Sequence, residues 1–388
     1  MRDEDKRIPV TLLTGFLGAG KTTLLNHMIR DPKSGRIAVV MNEFGDIGLD
    51  HDLIEETTEE TILLDSGCLC CSIRGDLATT LSALIKRRKQ GELAFDRVVI
   101  ETTGIADPGP VLHTLVVSDL IAPDYRMDGV VTLADAATGP ATLDRQFEAV
   151  HQIAVADVIV LTKTDLVSDT ELHAFEKRID AINAVAPRIR ADHGAVPLAD
   201  LFGLSAMQSD VLQDDVSKWI GDAQNDETIV SHPDDHHHGH HDHGAGGGHH
   251  NHDQCDHDHD HHHHHHHHDD RITSASLTTD KPIPASVFDF WLDMLIALKG
   301  PDILRMKGIV HVDGMEWPFV FHGVQHIFDQ PVPLTSWTGE NTTSRVVVIA
   351  RDMTKAELEA SLDVLRMQPS DVAQTANTLM VETDEMPF

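Results

Sequence analysis

Short apolar runs recur along the first half of the chain. They read IPVTLLT (8–14), RIAVVM (36–41), TILLD (61–65), RVVIE (97–101), GVVTLAD (129–135) and DVIVLT (157–162). Between them lie segments of helical period, such as TTLLNHMIR (22–30), LATTLSALIKRRK (77–89) and DRQFEAVHQIAVA (144–156). Strands that are apolar at nearly every position fit a sheet buried on both faces, and alternation with helices predicts a parallel, doubly wound α/β sheet. This pattern runs to about residue 210. A second pattern begins at 271: a strand (ITSASLT), a helix (PASVFDFWLDMLIAL), a hairpin (LRMKGIVHVDG with EWPFVFHGVQHIFD), a strand (SRVVVIAR) and a helix (TKAELEASLDVL). That order predicts a smaller α+β domain. The expected organisation is therefore 1–210, a linker 211–270, and 271–388.

The linker contains a low-complexity tract, 232–270. Residues 231–270 hold 20 of the chain's 29 histidines, many aspartates and no large apolar residue. A segment of this composition buries too little surface to offset its ordering entropy, so disorder is expected. The whole chain of 388 residues carries a formal charge of −33. Phosphate backbones need a basic face, so nucleic acid is excluded as a partner class, and cations are favoured. No run of 18 apolar residues is present, which argues against a membrane span. The charged start, MRDEDKRIPV, lacks the apolar stretch of a signal peptide, so a cytosolic protein with reduced thiols is expected.

Three of the four cysteines fall within GCLCC (67–71): Cys68, Cys70 and Cys71. In a reducing compartment such a cluster reads as a soft-metal site for Zn²⁺, Cu⁺ or Fe–S. Three thiolates leave a tetrahedral site incomplete, and Glu43, an imidazole or water could complete it. Buried small hydrophobes or a redox pair are the plainer alternatives. Upstream, GFLGAGKT (15–22) fits G-x-x-x-x-G-K-[ST] between a strand and a helix, so its backbone N–H groups can cradle phosphates. Lys21 would reach the β and γ phosphates and Thr22 would bind Mg²⁺. RVVIETTG (97–104) has the layout of a Walker B strand, with Glu101 at the metal and the Gly104 N–H at the γ-phosphate. In VLTKTD (160–165), Asp165 can pair with the two guanine donors that adenine lacks, and the Lys163 stem can lie along the base. MNEFGDIG (41–48) contributes Asn42, Glu43 and Asp46 as polar groups after the second strand.

Taken in order, GFLGAGKT, NEFG, GCLCC, ETTGIADP and TKTD resemble the CobW-like GTPases, relatives of the UreG and HypB metallochaperones. LRMKGIVHVDG and FHGVQH resemble the CobW C-terminal domain. The likeness covers nearly all of the chain except the His tract. It implies a P-loop G domain joined to a smaller C-terminal domain, and GTP hydrolysis coupled to metal delivery. By motif it implies that Gly15, Gly18, Ala19, Gly20, Lys21, Thr22, Thr23 and Gly104 hold phosphate. Lys163 and Asp165 would read guanine, and Thr22 and Glu101 would hold Mg²⁺. Cys68, Cys70 and Cys71, with Glu43 and Asp46, would hold the transition metal. Lys21, Thr22, Glu101 and Glu43 are the expected catalytic groups. Two positions depart from the family pattern: Met41 stands where many relatives carry an acid, and Thr162 stands where Asn is usual.

The reading is a cytosolic GTPase metallochaperone that binds GTP, Mg²⁺ and Zn²⁺, with Co²⁺ or Ni²⁺ as alternative cargo. Client metalloproteins are the expected partners, and a metal- or nucleotide-dependent homo-oligomer is a further expectation. Its rivals are a cobalt chaperone for cobalamin synthesis and a His-rich metal buffer with vestigial nucleotide binding.

Overall fold

The computed structural model describes residues 6–42, 62–65, 73–191, 194–207, 216, 219–220, 271–324, 327–328, 330–337 and 342–372. Among them, the first half forms one sheet from β1 (Ile8–Gly15), β2 (Ile37–Asn42), β3 (Ile62–Asp65), β4 (Arg97–Thr102), β5 (Tyr125–Asp135), β6 (Val158–Thr162) and β7 (Arg188–Arg190). The order is β3-β2-β4-β1-β5-β6-β7, and every pairing is parallel. Successive side chains on a strand point to opposite faces. Leu12, Val98 and Ile100 therefore pack with α2 (Ile73–Lys89) and α3 (Gly109–Val117). Leu13 and Val99 pack with α1 (Lys21–Arg30) on the other face.

The single helix expected over 144–156 is two, α4 (Gly139–Arg145) and α5 (Phe147–Ala154). Gln146 between them is extended, at φ −127 and ψ 106, which breaks the ladder of i to i−4 hydrogen bonds. The break lets the apolar stripe of α5 turn toward α6 (Asp169–Ile182), where Val150 and Ile153 meet Phe175 and Ile179.

The C-terminal part forms an antiparallel sheet from β8 (Ile272–Thr279), β9 (Ile303–Val310), β10 (Phe319–Val324), β11 (Ile327–Phe328), β12 (Val332–Pro333) and β13 (Ser344–Arg351). Its order is β11-β10-β9-β13-β8, with β12 also on β10. The helices α7 (Ala285–Lys299) and α8 (Lys355–Asp363) cover one face through Phe288, Trp291, Leu358 and Leu362. A capping box of Thr354 and Glu357 starts α8. The other face meets the first sheet's layer: Ile272, Leu304 and Ile349 join the core of α5 and α6.

At that junction β9 presents two cations to one buried carboxylate. Asp157, just before β6, accepts from Arg305 and, at 2.7 Å, from Lys307. Its second oxygen accepts from the Val130 N–H at 2.9 Å. Arg305 also donates to the Val155 carbonyl, and Lys307 to the Trp219 carbonyl at 3.2 Å. All three charged side chains are at most 5% exposed. Burial pulls the Lys307 ammonium down to about 8, even though Asp157 opposes that shift. Burial would raise the Asp157 carboxyl, but Arg305, Lys307 and His322 together hold it far below the ordinary aspartate range.

Removing one partner of a buried ion pair strands the other charge, so Asp157→Asn is expected to cost about 3–5 kcal/mol, read as a lower urea midpoint. Because the folded-state carboxyl sits below its unfolded value, its contribution is present above about pH 4 and is lost on acidification. The wild-type and Asp157→Asn curves are therefore expected to converge as the pH falls below 4. A constant gap down to pH 2 would contradict this assignment.

Candidate nucleotide site

The C-terminal end of β1 runs into the glycine loop and then α1. Gly20 caps α1 at φ 98 and ψ 20, a left-handed conformation that a side chain would strain. Gly15 ends β1, Gly18 also has positive φ, and Ala19 is buried, its N–H bonded to the Phe16 carbonyl at 3.1 Å. Lys21 is buried at the loop's base. Its ammonium donates to the Gly15 and Phe16 carbonyls at 2.9 and 3.3 Å. Those carbonyls hold the charge at the mouth of a helix N-terminus, where an anion is favoured. Thr23 is exposed beside it.

Thr22, the next residue of α1, donates its hydroxyl to Glu101 Oε1 at 3.1 Å. Glu101 is the penultimate residue of β4, paired in register with Leu13 on one side and Met41 on the other. It is 4% exposed. A hydroxyl and a buried carboxylate at the N-terminus of a phosphate-type helix are an oxygen donor set that fits Mg²⁺ beside a phosphate. One strand turn on, the Thr102 hydroxyl donates to Thr14 at 2.8 Å. Gly104 is pressed against the glycine loop: a Cβ there would lie 2.5 Å from the Leu17 nitrogen. Only glycine fits that approach, so the ETTG turn and the phosphate loop share one wall.

On the far side, β6 delivers Thr162 to the loop. Its hydroxyl donates to the Ala19 carbonyl at 2.8 Å. Thr162 replaces an expected Asn, and the short side chain still bonds the phosphate loop. Lys163 adopts φ 54, unusual for a residue with a side chain, and its ammonium donates to Asp135 Oδ2 at 2.6 Å. Asp135 ends β5. Burial would raise its carboxyl, but the Lys163 ammonium, the Thr138 hydroxyl and two backbone N–H groups hold it below the usual range. Asp165 is exposed in the turn that follows. The strand GVVTLAD was visible in the sequence, but the role of its last residue was not. Gln152 and His151 on α5 also touch the ETTG turn and carry no sequence motif.

Glu43, Asp46, Cys68, Cys70 and Cys71 lie outside the described residues, as does the His tract. Among the described residues no group of three or more His, Cys, Asp or Glu side chains gathers as a metal centre. No described helix is long and apolar enough to cross a membrane.

Residues 9–190 match the family described as CobW/HypB/UreG, nucleotide-binding domain, and residues 272–366 match the Cobalamin synthesis protein cobW C-terminal domain. The chain is 32% identical over 370 residues to the zinc chaperone YjiA of Escherichia coli, covering 92% of this chain and 99% of that protein. It is 30% identical over 400 residues to the zinc chaperone CobW of a Sinorhizobium species, covering 94% and 99%. It is 38% identical over 207 residues to the zinc-regulated GTPase metalloprotein activator 1 of Schizosaccharomyces pombe, covering 51% of this chain and 49% of that one. A crystal structure of Zn(II)-bound YjiA GTPase from E. coli superposes with a TM-score of 0.64 at 29% identity, over 93% of this chain and 99% of that one.

The Thr162 hydrogen bond gives a direct test. Thr162→Val is expected to weaken GDP binding about fivefold, the loss of one net hydrogen bond of about 1 kcal/mol, in a fluorescent-nucleotide titration. Thr162→Asn is expected to bind like the wild type. Equal affinity for the Val variant would mean that the hydroxyl does not hold the loop.

Proposed function

The chain belongs to the CobW family, and from that premise we propose that it is a GTP-hydrolysing metallochaperone carrying zinc on the Cys68–Cys70–Cys71 segment. The observation that carries the reading is the register of the sheet. β4 and β2 pair Glu101 with Met41, and β2 and β3 pair Met41 with Asp65. Asp65 stands three residues before Cys68, and Asn42 stands one residue before Glu43. The strand that leads into Glu43 thus ends beside the strand that carries Glu101, and the strand that leads into the cysteines ends one strand further out. Three relatives and one solved structure bear zinc in their names, which favours zinc over cobalt or nickel as cargo.

In this reading the loop N–H groups and Lys21 bind the β and γ phosphates, and Lys163 and Asp165 select guanine. Mg²⁺, when bound, would neutralise phosphate charge. Thr22 and Glu101 would hold it, and Gly104 would present its N–H to the γ-phosphate. The β2–α2 connection carries Glu43, Asp46 and the thiolates. A bias of that segment by GTP must be matched by an equal bias of GTP affinity by metal. Client metalloproteins would receive the cargo when hydrolysis removes the bias. The His tract would collect cations at lower affinity, because imidazoles are borderline ligands that protonate near neutral pH.

The test uses the full chain and Co²⁺ as a spectroscopic probe. Thiolate ligation gives a near-ultraviolet charge-transfer band that histidine sites lack, and Zn²⁺ bleaches it by displacement. The band is expected in the wild type and absent in the Cys68→Ser, Cys70→Ser double variant. Its apparent affinity is expected to be about tenfold tighter with a non-hydrolysable GTP analogue than with GDP, a coupling of about 1.4 kcal/mol. A band of equal affinity in both states would leave a metal buffer.

A further inference from the structure

Helix α5 grips the ETTG turn at three points. The Gln152 carboxamide donates to the Gly104 carbonyl at 3.2 Å and to the Ala106 carbonyl at 3.0 Å. The neighbouring His151 Nδ1 lies 3.1 Å from Asp107 Oδ1. Gln152 is 1% exposed, so its two contacts are made away from bulk water; His151 is buried as well, but its partner Asp107 is exposed. The carboxamide has one orientation that suits these partners. Two carbonyls can only accept, so the NH₂ end must face them.

The support beneath these contacts is rigid. The Gln152 backbone carbonyl accepts from the Thr132 hydroxyl of β5 at 2.8 Å. The carbonyls at the end of α5, Ile153 and Ala154, and that of Ala156 accept from the Asn183 carboxamide at 2.9, 3.2 and 3.1 Å. What Gln152 holds is the residue that fills the gap against the phosphate loop, since Gly104 leaves no room for even a Cβ beside Leu17. The turn begins two residues after Glu101, whose carboxylate meets Thr22.

We propose that Gln152 is a positioning residue for nucleotide hydrolysis: it sets the ETTG turn so that the Gly104 N–H and the Glu101 carboxylate both face the phosphate site. This rests on the GTPase reading above. Gln152 touches neither phosphate nor metal; it acts through the backbone of the turn. Releasing the turn would let Gly104 move from the loop, and misplacement by about 1 Å at a reacting centre can cost on the order of a hundredfold in rate. His151 and Asp107 make the same attachment one residue further along, so removal of Gln152 loosens the turn without freeing it.

The test compares the full-length wild type with Gln152→Met and Gln152→Glu. The first keeps the length and bulk of the side chain and removes both donors. The second keeps the shape and turns a carboxylate toward two carbonyls. Single-turnover GTP hydrolysis at saturating protein gives the chemical rate, and a fluorescent-GDP titration gives the affinity for the product. The hydrolysis rate is expected to fall about tenfold or more in both variants while GDP affinity stays within about twofold, since GDP has no γ-phosphate for the turn to meet. A folded variant with a rate within about twofold of wild type overturns the proposal. A wild type that binds GTP without hydrolysing it removes the GTPase reading instead, which separates the two failures. If neither variant folds, hydrogen exchange on the wild type decides. Replacing GDP·Mg²⁺ by a non-hydrolysable GTP analogue is expected to change protection of residues 103–106 and 147–154 together. A change confined to 103–106 overturns the proposal.

Discussion

All strands of the first sheet run in one direction, and the rest of the molecule follows from that constraint. A parallel sheet opens every strand's C-terminal end onto the same edge, where α/β folds place their ligands. Gly15, Met41, Asp65, Thr102, Asp135 and Thr162 come to that edge from six strands. Register then sets which groups are neighbours. The pairing of Leu13 with Glu101 brings the acid beside the start of the glycine loop, where Thr22 can reach it. The pairing of Asp135 with Thr162 sets Lys163 within reach of the Asp135 carboxylate. No local propensity places these side chains; the shared direction of the strands does.

The same sheet has a second dependency on its far flank. α5 meets the nucleotide side through His151 and Gln152, and the C-terminal domain through the carbonyl of Val155, which Arg305 bonds. Asp157 then takes both cations of β9. A short segment, 151–157, therefore carries contacts to both parts of the molecule. Ion pairs this deep gain little net stability over apolar contacts of similar volume, because desolvation offsets most of the attraction. Their effect is geometric: they fix one orientation of β9 on α5, where apolar packing alone would tolerate sliding.

Much of this was legible in the sequence and some was not, for a physical reason. Buried strands read as apolar runs because both faces are covered, so RVVIE and DVIVLT were recognisable as β4 and β6. The phosphate loop was legible because its glycines answer a local need for positive φ. The hairpin of β9 and β10 was legible from alternation and spacing. The break at Gln146 was not, since tertiary packing of α5 overrides a continuous helical period there. Nor were the long-range polar contacts. Gln152 meets carbonyls 46 and 48 residues away, and Arg305 meets a carboxylate 148 residues away. Hydrogen bonds across such separations leave no period and no motif in the chain; they appear only once the sheet has brought the partners together.

The geometry also bears on why a cargo site would be placed after β2 and β3. A nucleotide can shift a metal equilibrium only by as much as its own affinity differs between the two arrangements. β2, which leads toward Glu43, is hydrogen-bonded directly to β4, the strand that carries Glu101, and β3, which leads toward the cysteines, pairs with β2, so a coupling between the two sites would need no separate relay. Thiolate ligands would sharpen such a coupling. Zn²⁺ binds thiolates in their deprotonated form and favours four ligands, so loss or gain of one ligand would change affinity steeply. On the proposed reading, three cysteines would leave one position to be filled by a carboxylate, water or a client's side chain. If the fourth ligand is the one that GTP brings in, such as Glu43, the residue that follows β2 in the sequence, hydrolysis would open the position a client needs.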